Sequence, residues 1–196
     1  MKRIFFTLLV AMTCFAVYLS IPHGWYFHDL REVSHRVTVI GYERSQFGDG
    51  WALQSSGCST RDEVLAATLI DAHLTVDCSL TRGYGDDPYS LRPIAVHPGH
   101  DREPIELDHV YPLSAAWDMG AFAWDKERRV ALANDPLNLV AASKQQNRQK
   151  SDKLPSEWLP SARKQRCWYV NRLADVARKY DLPLSSADLR VMRRQC

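Results

Sequence analysis

Asp108 and His109 stand side by side, and Asn138, Asn147 and Lys150 follow them in order along the chain. An imidazole is largely neutral near pH 7, so His109 is a natural general base for taking a proton from water. Asp108 offers an anionic oxygen and Asn147 a neutral amide oxygen. That pair suits a hard divalent cation, Mg²⁺ or Mn²⁺ before Zn²⁺. Hydrolysis of a phosphodiester needs such a set: an activated water, neutralised charge and help for the departing oxygen. Lys150, one helical turn beyond Asn147, joins Arg148 and Arg61 as a candidate contact for substrate phosphates. Glu106 shares a strand face with Asp108 and is a reserve ligand, although an exposed strand carboxylate is the simpler reading. His97 and His100 have a metal-like spacing in a polar loop and read as solvated.

The elements that must position these groups are legible in outline. The alternation from Ile105 to Val110 predicts a strand that Pro112 ends. Short helices are expected around residues 115–121 and 125–132, then a turn at Asn134-Asp135-Pro136. Residues 139–142 predict a second strand, and Ser143 caps a helix carrying Asn147 and Lys150. Upstream, residues 37–40 suggest a short strand. Thr60 and Glu63 form a capping box for a helix reaching about His73, and residues 74–78 alternate like a strand. Residues 83–104, with three Gly and four Pro, predict a long loop. Two helices, from about Ser161 to Lys179 and from Ser186 to about Arg194, close the chain. Trp117, Trp124 and Trp158 are expected to pack in the core rather than stack on bases, and Asp118 to be a helix-surface charge. One tension is visible: adjacent residues of a regular strand point to opposite faces, so Asp108 and His109 cannot both face one ion from an ideal strand.

The ordered motifs Asp108-His109-Val110-Tyr111-Pro112-Leu113, Asn134-Asp135-Pro136-Leu137-Asn138-Leu139 and Asn147-Arg148-Gln149-Lys150 resemble the ββα-metal (HNH, His-Me finger) module of HNH endonucleases. The branch they resemble most is the C-terminal nuclease domain of GmrSD-type restriction enzymes. Gly41-Tyr42-Glu43-Arg44 with Phe47 and Trp51, Cys58-Ser59-Thr60-Arg61 and Asp87-Pro88-Tyr89 resemble stretches of small exported bacterial HNH proteins. The resemblance implies His109 as general base, a metal held by Asp108 and Asn147, and Asn138 bracing the loop that carries His109. Asn147 stands where the commonest HNH form has a final His, which puts a zinc or nickel preference in doubt.

The formal charge of +2 is unevenly distributed. Thirteen Lys and Arg face five Asp and Glu from Lys144 onward, a surplus that suits phosphate contact as well as solvated helix faces. Lys2 and Arg3 precede an uncharged segment, residues 4–21, which reads as a signal peptide or short membrane anchor, with a small-x-small cleavage site at Cys14-Phe15-Ala16. Four cysteines remain downstream, an even number that fits export. They allow three pairings, and chain order favours Cys58 with Cys78 and Cys167 with Cys196. For the second pair, helical arms of about 20 Å on either side of a turn near Asp181 would bring the sulfurs together.

The expected protein is thus α+β, a ββα-metal module at about residues 105–151 within one mainly helical domain, residues 38–196. A leader at 1–21 and a linker at 22–37 precede it. The expected function is an exported, divalent-metal-dependent endonuclease acting on DNA as a monomer. An RNase or toxin-like nuclease and a non-catalytic nucleic-acid-binding protein are the alternatives. Membrane contact is expected only through an uncleaved leader.

Overall fold

The computed structural model describes residues 6–7, 9–10, 12–13, 25–97 and 102–196. Most of the expected leader, including its cleavage stretch, and His100 lie outside the described residues. Among the described residues no helix is long and apolar enough to cross a membrane.

The elements run β1 (Glu32–Val33), α1 (Thr60–Thr68), β2 (Ile70–Leu74), β3 (Leu80–Asp86), β4 (Pro93–Ala95), β5 (Glu103–His109), α2 (Leu113–Asp118), α3 (Lys126–Ala133), β6 (Leu139–Ser143), α4 (Lys144–Lys150), α5 (Arg166–Tyr180), β7 (Leu184–Ser185) and α6 (Ser186–Met192). Five strands form one sheet in the order β2-β3-β4-β5-β6, antiparallel except where β4 meets β5, and β1 pairs with β7 in parallel. The class is therefore α+β.

The β5–β6–α4 unit is the centre of the fold. Its ladder is regular, Ile105 opposite Ser143 through His109 opposite Leu139. Residues directly opposite in a ladder share a face. One face therefore carries Ile105, Leu107, His109, Leu139 and Ala141, and packs with Val64 and Leu65 of α1 and with Trp51. The other carries Glu106, Asp108, Val140 and Ala142. Here Val140 and Ala142 join the larger core, which includes Tyr89, Tyr111, Tyr169, Leu173 and Leu189. Every residue of β6 is buried. Small side chains at Ala141 and Ala142 suit a strand with a helix close on each face. Ser143 ends β6 and caps α4, its hydroxyl accepting from the Gln146 N–H at 3.1 Å, so the strand passes straight into the helix.

Several expected elements differ. Residues 37–40 form no strand: the Val39 N–H donates to Asp118 Oδ1 (2.8 Å), and its carbonyl accepts from the Trp117 indole (3.1 Å). Side chains thus supply what a sheet partner would have supplied. Asp118 is consequently buried and paired with Arg36 at 2.7 Å, not a surface charge. The stretch expected as a linker is packed into the domain, with Phe27 and Leu30 in the main core and β1 hydrogen-bonded to β7. Ser59, not Thr60, caps α1, which stops at Thr68. The next strand comes earlier than the alternation suggested, and residues 75–79 form its turn. Residues 83–104 hold β4 and parts of β3 and β5: Pro93 opens β4 and Pro104 stands second in β5, so each proline falls near a strand start.

Both favoured disulfides are present, Cys58–Cys78 and Cys167–Cys196, with Cα separations of 5.3 and 4.8 Å. Trp117 is buried, Trp158 packs edge-on against Tyr89 and Tyr169, and Trp124 stacks on Tyr180.

Candidate active site

β4 pairs with β5 only at Glu103 and Pro104, so the following residues of β5 form an open edge. A cleft of about 520 Å³ lies along that edge. Five consecutive residues, from Ile105 to His109, line it. Side chains from both faces of a regular strand reach one space only where the strand has no neighbour. Along β5, residues of both faces, Asp108 and His109 among them, line this one cleft.

His109 is buried, and its ring stacks on Trp51 with centroids 5.5 Å apart and planes 16° from parallel. Its Nε2 lies 2.9 Å from the Ala133 carbonyl oxygen. A carbonyl only accepts, so Nε2 carries the proton and Nδ1 keeps its lone pair in the neutral ring. Burial pushes the His109 pKa down to about 3 against the opposing Ala133 hydrogen bond, and the charges of Arg44 and Lys150 push the same way. The imidazole is therefore neutral at physiological pH.

Asp108 lies on the opposite face. Tyr89 donates to its Oδ2 at 2.7 Å, and the Lys150 ammonium lies 3.1 Å from Oδ1 and 3.0 Å from Oδ2. Burial raises the Asp108 pKa above its ordinary value, opposed by Lys150 and Tyr89. Lys150 also donates to the His109 carbonyl at 2.7 Å, and its side chain is 0% exposed. This is the residue for which a phosphate contact was expected. It is instead an internal counter-ion, because i to i+3 spacing on α4 sets it over Asp108 while Asn147 sits over Glu106.

Asn147 Nδ2 donates to Glu106 Oε2 at 2.8 Å. Both side chains are half-buried, and both line the cleft with Asp108. Glu106, Asp108 and Asn147 line the cleft with His109, although among the described residues no three His, Cys, Asp or Glu side chains are grouped closely enough to hold a metal ion. A set this sparse fits a hydrated Mg²⁺ or Mn²⁺, which binds through one or two carboxylates and leaves positions for water and phosphate.

Asn138 is fully buried and does not reach the cleft. Its Oδ1 accepts from the Tyr111 N–H (2.7 Å), and its Nδ2 donates to the carbonyls of Tyr111 (3.2 Å) and Leu132 (3.3 Å). The amide thereby joins the turn after His109 to the end of the α3 segment that holds the His109 ring. Arg148 is exposed and forms no part of the cleft wall, whereas Arg61 lines it while pairing with Asp62 at 3.1 Å. His97 is exposed. Three residues not counted toward the site from sequence now belong to it: Trp51 under the imidazole, Tyr89 on Asp108, and Arg44 on the cleft wall. Tyr42, Glu43 and Arg44 carried only a family likeness, and nothing in their spacing pointed to the cleft.

Residues 68–194 match the family model of the C-terminal domain of GmrSD restriction endonucleases. The chain belongs to that family. The matched span contains β5, β6, α4 and Tyr89, while Arg44, Trp51 and Arg61 precede it. A protein of Arthroderma benhamiae described as an "Uncharacterized secreted protein" is 32% identical over 150 residues, covering 76% of this chain and 71% of its own length. No solved structure matches. As a member of the GmrSD C-terminal-domain family, the chain carries the β5–β6–α4 unit where the HNH resemblance located its ββα module.

Proposed function

We propose that this member of the GmrSD C-terminal-domain family is an exported HNH-type endonuclease that hydrolyses phosphodiester bonds of DNA. The observation that carries the reading is the His109 tautomer. The Ala133 carbonyl occupies Nε2, which leaves the lone pair on Nδ1, and His109 lines a cleft that Glu106, Asp108 and Asn147 also line.

In this mechanism Nδ1 of His109 takes a proton from water as the water oxygen bonds to phosphorus and the phosphorus–oxygen bond to the leaving strand breaks. Trp51 keeps the ring from rotating, and Asn138 fixes the turn that follows it. Lys150 and Tyr89 hold the Asp108 carboxylate at the edge of the cleft. Asp108 and Asn147, with Glu106 beside them, would hold a Mg²⁺ or Mn²⁺ ion, which when bound supplies positive charge for the phosphate and the departing oxygen. Burial matters twice: it keeps His109 neutral, and it strengthens every charge interaction inside the cleft.

Export is supported by the apolar leader segment, by two disulfides of the kind that persist in oxidising compartments, and by the description of the Arthroderma relative as secreted. The test is incubation of the oxidised protein with plasmid DNA and with RNA, in Mg²⁺, Mn²⁺ or EDTA, beside His109→Ala. The expected result is metal-dependent nicking of DNA, reduced about 10²- to 10⁴-fold by the substitution. Cleavage of RNA alone would make the protein a ribonuclease. Absence of cleavage under every condition would overturn the enzyme reading and leave a binding protein.

A further inference from the structure

Positive charge at the cleft has to come from somewhere other than Lys150, whose three donors are spent inside the protein. Of the two arginines that line the cleft, Arg61 already pairs with Asp62. Arg44 is exposed, and among the described residues it makes no ion pair and no side-chain hydrogen bond.

Its position is unusual. A second cavity, of about 450 Å³, adjoins the first. Arg44, Trp51, His109 and Leu113 line both, so together they form the ridge between them. A guanidinium is planar, permanently charged and offers paired N–H donors that match phosphate oxygens. Held on the ridge beside the base, and with no protein anion to satisfy it, such a group is set up for a phosphate.

We propose that Arg44 is the phosphate-binding residue of the site: it contacts non-bridging oxygens of the phosphodiester being cut, where the strand crosses from the first cavity into the second. Sequence position alone gave this role to Lys150, Arg148 and Arg61. The assignment rests on the nuclease reading above.

Two measurements separate the ideas. In the His109→Ala background, whose cutting should be slowed about 10²- to 10⁴-fold, affinity for short fluorescein-labelled DNA, duplex and single-stranded, is measured as a function of salt. Adding Arg44→Ala should lower affinity and reduce the slope of log affinity against log salt by about 1, the loss of one phosphate contact. In the otherwise native protein, Arg44→Ala should lower kcat/KM for DNA about 10²- to 10³-fold, as loss of one donor at a developing charge does. Arg44→Lys should recover part of both, and an unchanged urea midpoint should show that each variant is folded. Native cleavage with an unaltered salt slope in Arg44→Ala overturns the assignment and leaves the nuclease reading standing. A protein that neither binds nor cuts DNA or RNA overturns both.

Discussion

Replacing Lys150 by Met distinguishes a buried counter-ion from a phosphate-binding lysine. Met fills a similar volume but supplies no donor. Asp108 would keep the Tyr89 hydroxyl and the His109 backbone N–H but no cation, and the His109 carbonyl would lose its ammonium partner. A carboxylate left alone in the interior escapes by taking up a proton. At pH 7, protonating a group with an unfolded pKa of about 3.9 costs about 4 kcal/mol, at 1.36 kcal/mol per pH unit. The orphaned carbonyl adds about 1 kcal/mol, and the total lies near the ~3–5 kcal/mol seen when one partner of a buried pair is removed.

The pH dependence has a definite sign. Burial already raises Asp108 in the native protein, so the folded state holds a proton that the unfolded state has lost, and stability falls as pH rises through that window. Without Lys150, the chief influence lowering that pKa, the window extends upward. The stability deficit of Lys150→Met against the native protein should therefore shrink between pH 7 and pH 5, by at most the ~1.36 kcal/mol per pH unit that one proton carries. Urea unfolding of the oxidised protein in EDTA, at both pH values, measures this. Adding Asp108→Asn should restore much of the loss. A deficit below about 1 kcal/mol at pH 7 would refute the reasoning, since a pair truly shielded from water cannot be broken so cheaply.

Asn138→Ala should destabilise by at least about 2 kcal/mol in the same unfolding assay, because it strands the buried Tyr111 N–H and its carbonyl partners. Trp51→Ala should lower kcat about 10- to 100-fold in a plasmid-nicking assay by freeing the imidazole, with Trp51→Phe largely restoring it. Replacing both Cys167 and Cys196 by Ser should lower stability by about 3 to 4 kcal/mol, from the loop entropy released over their separation of 29 residues. A calorimetric melting temperature equal to that of the native protein would refute this.

The ββα unit was legible because its signals are local: alternation in Ile105 to His109, a short apolar run from Leu139, and a capping serine just before the helix. Asp108, His109 and Asn147 were singled out by the ordered motifs and their family resemblance, since an Asp-His pair alone carries no local signal. What they touch was not legible, since it depends on which side chain lies across a sheet. Helical spacing put Lys150 on the face of Asn147 but carried no record that Asp108 would lie beneath it. Tyr89 and Trp51 approach from loops distant in sequence, and no periodicity announces them. Residues 37–40 misled because a β-branched run states a preference for extended backbone, and here Asp118 and Trp117 supplied its partners instead of a strand.

The pairing of β1 with β7 joins residues near opposite ends of the described chain: Glu32 lies against Leu184, and nearby Arg31 meets Asp181 at 2.8 Å while Arg178 meets Asp29 at 2.6 Å. A polypeptide that emerges N-terminus first presents β1 early and β7 late. Phe27 and Leu30 would then wait, with their apolar surface unburied, until α5 and β7 had emerged. The seam would be the last part of the domain to close and, on gentle heating, the first to open. Its amide protons should exchange with solvent ahead of those in β5 and β6, giving the domain a loose outer closure around a firm β5–β6 hairpin.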